Sequence, residues 1–251
     1  MTLTTTAVRD IPPIRHDEAM ELAAAEYQHF TALLGALVPG DWTAPTVCDG
    51  WDVQAIVAHV LGAAEACASI RENIHQMRLG HQAQRQLGLS HIVHGANEVQ
   101  VRERAGLDRA GLIDRWNRVV PRALNGRRRF PPFVRSVRIG FEAPLGKRSL
   151  GYLMDIVYTR DVWMHRVDIC RATGRQPVLT AEHDGRLIAD MVADWASTHR
   201  HLFSLHLTGP AGGTYASGND GPRVDIDAID WAWTISGRAP GKGLLANPLP
   251  L

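Results

Sequence analysis

Over long stretches of this chain apolar side chains recur at three- and four-residue spacing, the period of a helix with one buried face. Residues 16–38 carry Leu22, Tyr27, Phe30, Leu33, Leu34 and Leu37 in that register, and Pro39-Gly40 ends the run. A connector follows, and either Asp49 or Asp52 is placed to cap a second helix. Its apolar positions are Val53, Ile56, Val57, Val60, Leu61 and Ala64, and the spacing carries it to residue 79. Residues 80–107 are rich in Gln, His and Gly, and their weak periodicity predicts loop with a partial helix. Leu112, Ile113, Trp116, Val119 and Val120 predict a third helix over 108–124, which Pro121 kinks or ends early. A fourth spans 149–173, with Leu150, Leu153, Met154, Val157, Val162, Met164, Val167 and Ile169 as its apolar content and Gly174 as a natural stop. Four long helices with apolar stripes predict an antiparallel four-helix bundle.

After Pro177 the pattern changes. Thr180 or Glu182 opens a helix to residue 199, with Leu187, Ile188, Met191, Val192 and Trp195 facing inward. Residues 202–208 alternate apolar and polar, as a half-buried strand does. A glycine-rich turn separates them from short strands at 214–216 and 223–226, and Asp227 caps a short helix over 228–236. The predicted organisation is a flexible polar lead (1–15), a helical bundle (16–177) and a small α+β domain (178–251). The fold class is mainly α with a small α+β part.

Composition narrows the classes. With 251 residues, 45% hydrophobic and 21% charged, the chain is neither disordered nor collagenous nor a disulfide-rich miniprotein. A net charge of +1 gives no global reason to bind nucleic acid or an anionic membrane. Cys48, Cys67 and Cys170 are far apart and form no C-x-x-C pair, which fits a reducing compartment and excludes an all-cysteine zinc site. The first 15 residues hold no apolar leader core, and no apolar run approaches the roughly 18 residues of a membrane span. A soluble cytoplasmic protein is expected. Between residues 117 and 150, nine Arg/Lys face one Glu. That segment reads as a solvated basic loop or as the anion-facing rim of a pocket, and it lacks the aromatic interleaving of a nucleic-acid surface.

Twelve histidines are the outlying number. Asp161 and His165 stand at i and i+4, on one helical face a turn apart, with Asp168 near the same face. They could grip one divalent ion or simply bond each other. His59, within Val57-Ala58-His59-Val60-Leu61, lies on or near a buried stripe, as a core histidine or as a ligand from a facing helix. Together His59, Asp161 and His165 make a two-nitrogen, one-oxygen set with open positions. His91 and His94 form an alternative i, i+3 pair. His199 and His201 flank a helix end, where the dipole favours the charged form. His16, His29, His75, His81, His183 and His206 have no evident partner in the sequence.

Three stretches carry a family resemblance. The run Pro45-Thr-Val-Cys-Asp-Gly-Trp51-Asp-Val-Gln-Ala-Ile-Val-Ala-His59-Val-Leu-Gly62 resembles a signature of the mycothiol-dependent maleylpyruvate isomerase family, within the wider DinB-like superfamily. Tyr158-Thr-Arg-Asp161-Val-Trp-Met-His165-Arg-Val-Asp168-Ile-Cys-Arg-Ala-Thr-Gly174-Arg is similar to its second signature, and residues 224–245 to its C-terminal domain. Residues 80–145 match only loosely. The resemblance implies a DinB-like four-helix bundle holding one divalent metal, usually zinc, followed by an α/β domain. Its ligands, a His on the second helix and Glu-x-x-x-His on the fourth, fall on His59, Asp161 and His165. Asp161 departs from the usual Glu and is one methylene shorter, which bears on metal identity and coordination.

The resemblance also implies mycothiol as thiol cofactor or co-substrate. A thiol of pKa about 8.5 is mostly protonated at neutral pH, and a coordinated one is deprotonated. Thiolate addition to an activated double bond, rotation and elimination give cis–trans isomerisation; release of the adduct gives S-transfer. Asp168, Arg160, Arg166 and Arg238 are the candidates for holding the thiol or a substrate carboxylate, and each arginine also reads as a surface residue. The implied partners are a small-molecule substrate and a low-molecular-weight thiol, with no nucleic acid or membrane, on a monomer or homodimer. Two other readings stay open: a metalloenzyme of the same fold using metal-bound water or direct substrate coordination, and a non-catalytic DinB-like binding protein.

Overall fold

Four long helices carry the first unit of the computed structural model, which describes residues 4–250 of the chain. This unit comprises residues 16–137 and 149–177. Its helices are α1 (His16–Ala36), α2 (Val53–Ala68), α3 (Ile70–Leu87), α4 (Ile92–Arg104), α5 (Arg109–Arg128), the short α6 (Pro132–Arg135) and α7 (Leu150–Tyr152), and α8 (Tyr158–Ala172). Both α1 and α2 pack against α5 and α8, which closes a four-helix bundle. Its core gathers the large residues of the four stripes. Trp116 meets the rings of Tyr27 at 5.2 Å and Phe30 at 5.0 Å, and its indole N–H donates to Thr31 Oγ1 at 2.8 Å. Burying these aromatics supplies the largest hydrophobic contribution per residue.

Two helical boundaries differ from expectation. The second helix stops at Ala68, because Ser69 is extended and its hydroxyl caps a new helix through the Glu72 amide. Residues 80–107 are mostly helix, not loop: α3 and α4 pack on each other, and both pack on α2. Their mutual contact uses Gly80, Ala83, Gly95 and Ala96, small residues that bury closely approaching backbones with little apolar volume. That is why the hydrophobic period there is faint.

Helix α5 also outruns its prediction and continues to Arg128. Pro121 is exposed, so the hydrogen bond it cannot make leaves the Asn117 carbonyl facing water. The basic stretch is therefore partly helix, and Arg127 is buried in it. Residues Leu153–Val157 form a π-type turn, and Arg127 donates to the Met154 carbonyl at 2.7 Å, the Asp155 carbonyl at 3.4 Å and Thr159 Oγ1 at 2.6 Å. Arg135 pairs with the Asp155 carboxylate, as does His16 Nδ1 at 3.0 Å. These bonds fix the entry of α8, which carries Asp161 and His165.

The second unit gathers the described residues before His16, residues 138–148 and the chain from Val178. Strands β1 (Thr5–Ala7), β4 (Phe203–Thr208), β5 (Gly213–Ser217) and β6 (Arg223–Asp227) form a sheet ordered β1-β5-β4-β6. β1 is parallel to β5, β5 antiparallel to β4, and β4 parallel to β6. β2 (Arg138–Gly140) and β3 (Lys147–Ser149) form a separate hairpin. The segment read as a flexible lead thus contributes a strand, paired through backbone groups that its polar composition does not advertise. Phe203, Leu205 and Leu207 alternate inward as expected, and α9 (Arg186–His199) and α10 (Ala228–Ile235) bring Trp195 and Trp231 to 5.6 Å. Asp227 caps α10 through the Ile229 amide.

Several histidines without a sequence partner acquire one across elements: His75 with Glu103 and His206 with Asp225, both at 2.8 Å. Hydrogen bonds from Arg223 and then His206 hold the Asp225 carboxyl down at about 2. Among the described residues no helix is long and apolar enough to cross a membrane.

Candidate metal centre

Asp52 accepts the Ala55 amide hydrogen and starts α2, so that His59 falls on the face turned toward α8. There it meets Asp161 and His165. His59 Nε2 lies 3.4 Å from each carboxylate oxygen of Asp161, and His165 Nε2 lies 3.6 Å from Oδ1. One donor atom from each of the three falls within 4.8 Å of the others. The imidazole rings stand nearly perpendicular, 79° apart, with centroids at 4.9 Å. The Asp161 side chain is 22% exposed against 4% and 8% for His59 and His165, so solvent reaches the cluster from the Asp161 side.

The outer nitrogen of each histidine is already engaged. His165 Nδ1 lies 2.8 Å from Asp168 Oδ2, which also accepts the Cys48 thiol at 3.7 Å. His59 Nδ1 lies 2.7 Å from Gln100 Oε1. Hydrogen-bond logic assigns a proton to each Nδ1, because an ionised carboxylate and an amide oxygen only accept. Both Nε2 lone pairs then face a carboxylate. With both imidazoles neutral, these three acceptors point at one another, an arrangement that a bound cation would satisfy. Donors bound about 2.1 Å from a tetrahedral ion lie about 3.4 Å apart, close to the histidine–carboxylate spacings here. The residues fit a divalent metal, with outer partners of the kind that orient metal-bound imidazoles.

The connector into α2 forms one wall. Thr46 N–H donates to the Trp51 carbonyl at 3.1 Å and Trp51 N–H to the Cys48 carbonyl at 2.9 Å, which folds the loop back on itself. The Trp51 ring then sits 5.1 Å from His59 and 6.3 Å from His165. Beyond His59 by one turn, Gly62 lets α4 approach: a Cβ there would meet Gln100 Cβ and Cγ at 2.6 Å. Gly62→Ala is expected to push Gln100 off His59 and weaken metal affinity by about 10- to 100-fold, the usual effect of losing an outer partner; a chelator competition titration measures it.

The other candidates fall elsewhere. Asp168 is buried behind His165, where it orients a ring. Arg166 makes a buried two-pronged pair with Glu26, at 2.7 and 3.1 Å. Arg160 is buried and donates to the Tyr152 hydroxyl at 3.4 Å. Arg238 lies in the other unit, half-buried just past α10. His91 caps α4 through the Val93 amide, and neither it nor His94 joins a cluster of three metal-ligating side chains among the described residues. Burial, and then the neighbouring His201, lowers the His199 pKa, against the dipole-based expectation.

The chain's buried thiols are poor nucleophiles. Burial pushes Cys67 up to about 12 and also raises Cys170. In the native protein at pH 8, a thiol-disulfide reagent is expected to modify Cys48 and to spare Cys67 and Cys170 until the protein unfolds; peptide mapping reads this out. Gln100, Cys48 and Trp51 are the site residues that sequence reasoning did not single out. Cys48 and Trp51 lay inside the quoted signature, and Gln100 shares a helical row with Ala96 and Val99.

Comparison with known proteins bears on the same residues. The family model described as "Mycothiol maleylpyruvate isomerase N-terminal domain" matches residues 23–170. No curated protein matches the chain. Among solved structures, the crystal structure of the mycothiol-dependent maleylpyruvate isomerase is similar, with 19% identity and a TM-score of 0.58 over 94% of this chain and 93% of that one. The structure of a histidine-to-alanine mutant of it gives 19% identity, a TM-score of 0.57 and the same coverage. At that identity the likeness speaks for the fold. The family match takes in His59, Asp161 and His165, and by it the chain belongs to the mycothiol maleylpyruvate isomerase family.

Proposed function

We propose that this chain is a zinc-dependent enzyme that activates mycothiol for cis–trans isomerisation or S-transfer on a small, carboxylate-bearing substrate. The observation that carries the proposal is the convergence of the two Nε2 lone pairs and the Asp161 carboxylate, in a chain of this family. His59, Asp161 and His165 would hold the ion. Two imidazole nitrogens and a spacing near the tetrahedral value support zinc over an all-oxygen, octahedral ion. When bound, the ion supplies the positive charge that keeps a thiol deprotonated at neutral pH.

The chain's own residues do the rest. Asp168 and Gln100 hold the two rings with Nε2 inward. The Trp51 ring lies against both imidazoles and forms one wall of the site. Asp161 marks the open side, where a thiol and a substrate can enter. Cys67 and Cys170 keep their protons, so neither supplies the reacting sulfur in this reading. A low-molecular-weight thiol stays reduced in the cytoplasm, the compartment this reading requires.

The test is zinc analysis of the purified protein, calorimetry with mycothiol, and turnover of a cis-enedioate such as maleylpyruvate with and without the thiol. One zinc per chain and thiol-dependent turnover are expected. Zinc-loaded protein that neither binds mycothiol nor needs a thiol for turnover would overturn the proposal, and turnover without thiol would favour metal-bound water.

A further inference from the structure

We infer that Gln76 and Gln100 form a directional amide relay that decides which nitrogen of His59 carries its proton, and thereby turns the Nε2 lone pair toward the cation site. The relay's consequence for metal rests on the proposed centre; its geometry does not.

The direction is set at the far end. The Gly62 carbonyl can only accept, so the Gln76 atom 2.9 Å from it is Nε2. The same Nε2 donates to Glu72 Oε1 at 2.8 Å, and that carboxylate oxygen is held by Arg104 at 3.2 Å. Gln76 Oε1 is then turned to Gln100 and needs a donor, which Gln100 Nε2 supplies at 2.8 Å. This leaves Gln100 Oε1 toward His59, 2.7 Å from Nδ1. An acceptor there requires the proton on Nδ1.

Gln76 and Gln100 are 0% and 5% exposed, so water does not stand in for a missing partner. Turning either amide over would set two donors or two acceptors against each other. Arg104 donates to the Gln100 carbonyl at 2.9 Å, which steadies this level of α4. His165 has its tautomer fixed by the Asp168 carboxylate; His59 has it fixed by neutral amides, which add no further charge to a cluster that already holds two carboxylates. Gln76 reaches His59 through the Gln100 amide, so it acts as a positioning residue.

The test is nitrogen-15 NMR of the histidines in metal-free protein, together with zinc affinity by chelator competition. Wild-type His59 is expected in the Nδ1–H form. Gln76→Leu removes both ends of the relay: His59 is expected to shift toward Nε2–H, and zinc affinity to fall about 10- to 100-fold. Gln76→Glu is the rescue. Beside Glu72 and in a buried position its carboxylic acid stays protonated, giving a donor to the Gly62 and Glu72 side and a carbonyl to Gln100. It is expected to keep the wild-type tautomer and an affinity near wild type. His59 as Nε2–H in the wild type, or a tautomer unmoved in Gln76→Leu, overturns the relay, and the wild-type spectrum decides even if the leucine variant does not fold. Wild-type protein that binds no zinc but whose His59 tautomer follows Gln76 would leave the relay standing and remove the metal reading.

Discussion

His59→Ala is expected to release the metal and bring thiol-dependent turnover to background. The substitution removes one of three converging donors and leaves His165 and Asp161 as a two-point site. The loss should exceed the about 10- to 100-fold typical of an outer-partner change. Asp168→Asn serves as the graded comparison: an amide oxygen can still accept from His165 Nδ1 without the carboxylate's charge, so its effect should fall within that smaller range. Metal content by mass spectrometry and affinity by chelator competition measure both, with circular dichroism as the control for folding. A His59→Ala protein that keeps its full metal content would sink the site.

The parts of this centre differed in how far the sequence revealed them. Asp161 and His165 are a local pair, one helical turn apart, so spacing alone put them together. His59 came from its place in an apolar stripe, because a bundle turns such stripes toward each other. The long helices and the β4 alternation were legible for the same reason: large residues buried at a regular period. Gln76 and Gln100 were not. They sit on α3 and α4, whose contact depends on Gly80, Ala83, Gly95 and Ala96, and small residues leave little periodic signal. Strand β1 was missed because Thr5-Thr6-Ala7 gains its order from the backbone of β5. Arg127 and Arg166 show a third limit. Arginines, within the basic run like Arg127 or single like Arg166, read as solvated surface, yet each finds buried acceptors far away in sequence, and only the tertiary fold reveals them.

The Arg166–Glu26 pair gives the largest expected effect on stability. Arg166 and Glu26 are 3% and 0% exposed at their side chains, and their two hydrogen bonds join α1 to α8. Glu26→Leu takes from the buried Arg166 guanidinium the carboxylate that accepts two of its hydrogen bonds, a change that costs about 3–5 kcal/mol. For a chain of this size that corresponds to a fall of roughly 10 °C in Tm. The double variant Glu26→Leu/Arg166→Met removes both charges and both desolvation penalties, and is expected to recover most of the loss, because well-packed apolar replacements of a buried pair are often neutral. Urea unfolding followed by circular dichroism compares the three proteins. The same double variant bears on function, since Arg166 was a candidate for holding a substrate carboxylate. A structural pair predicts that stability and KM both return toward wild type. If stability returns while KM stays raised, Arg166 reaches the substrate in the working enzyme, and Glu26 serves to position its guanidinium rather than to neutralise it.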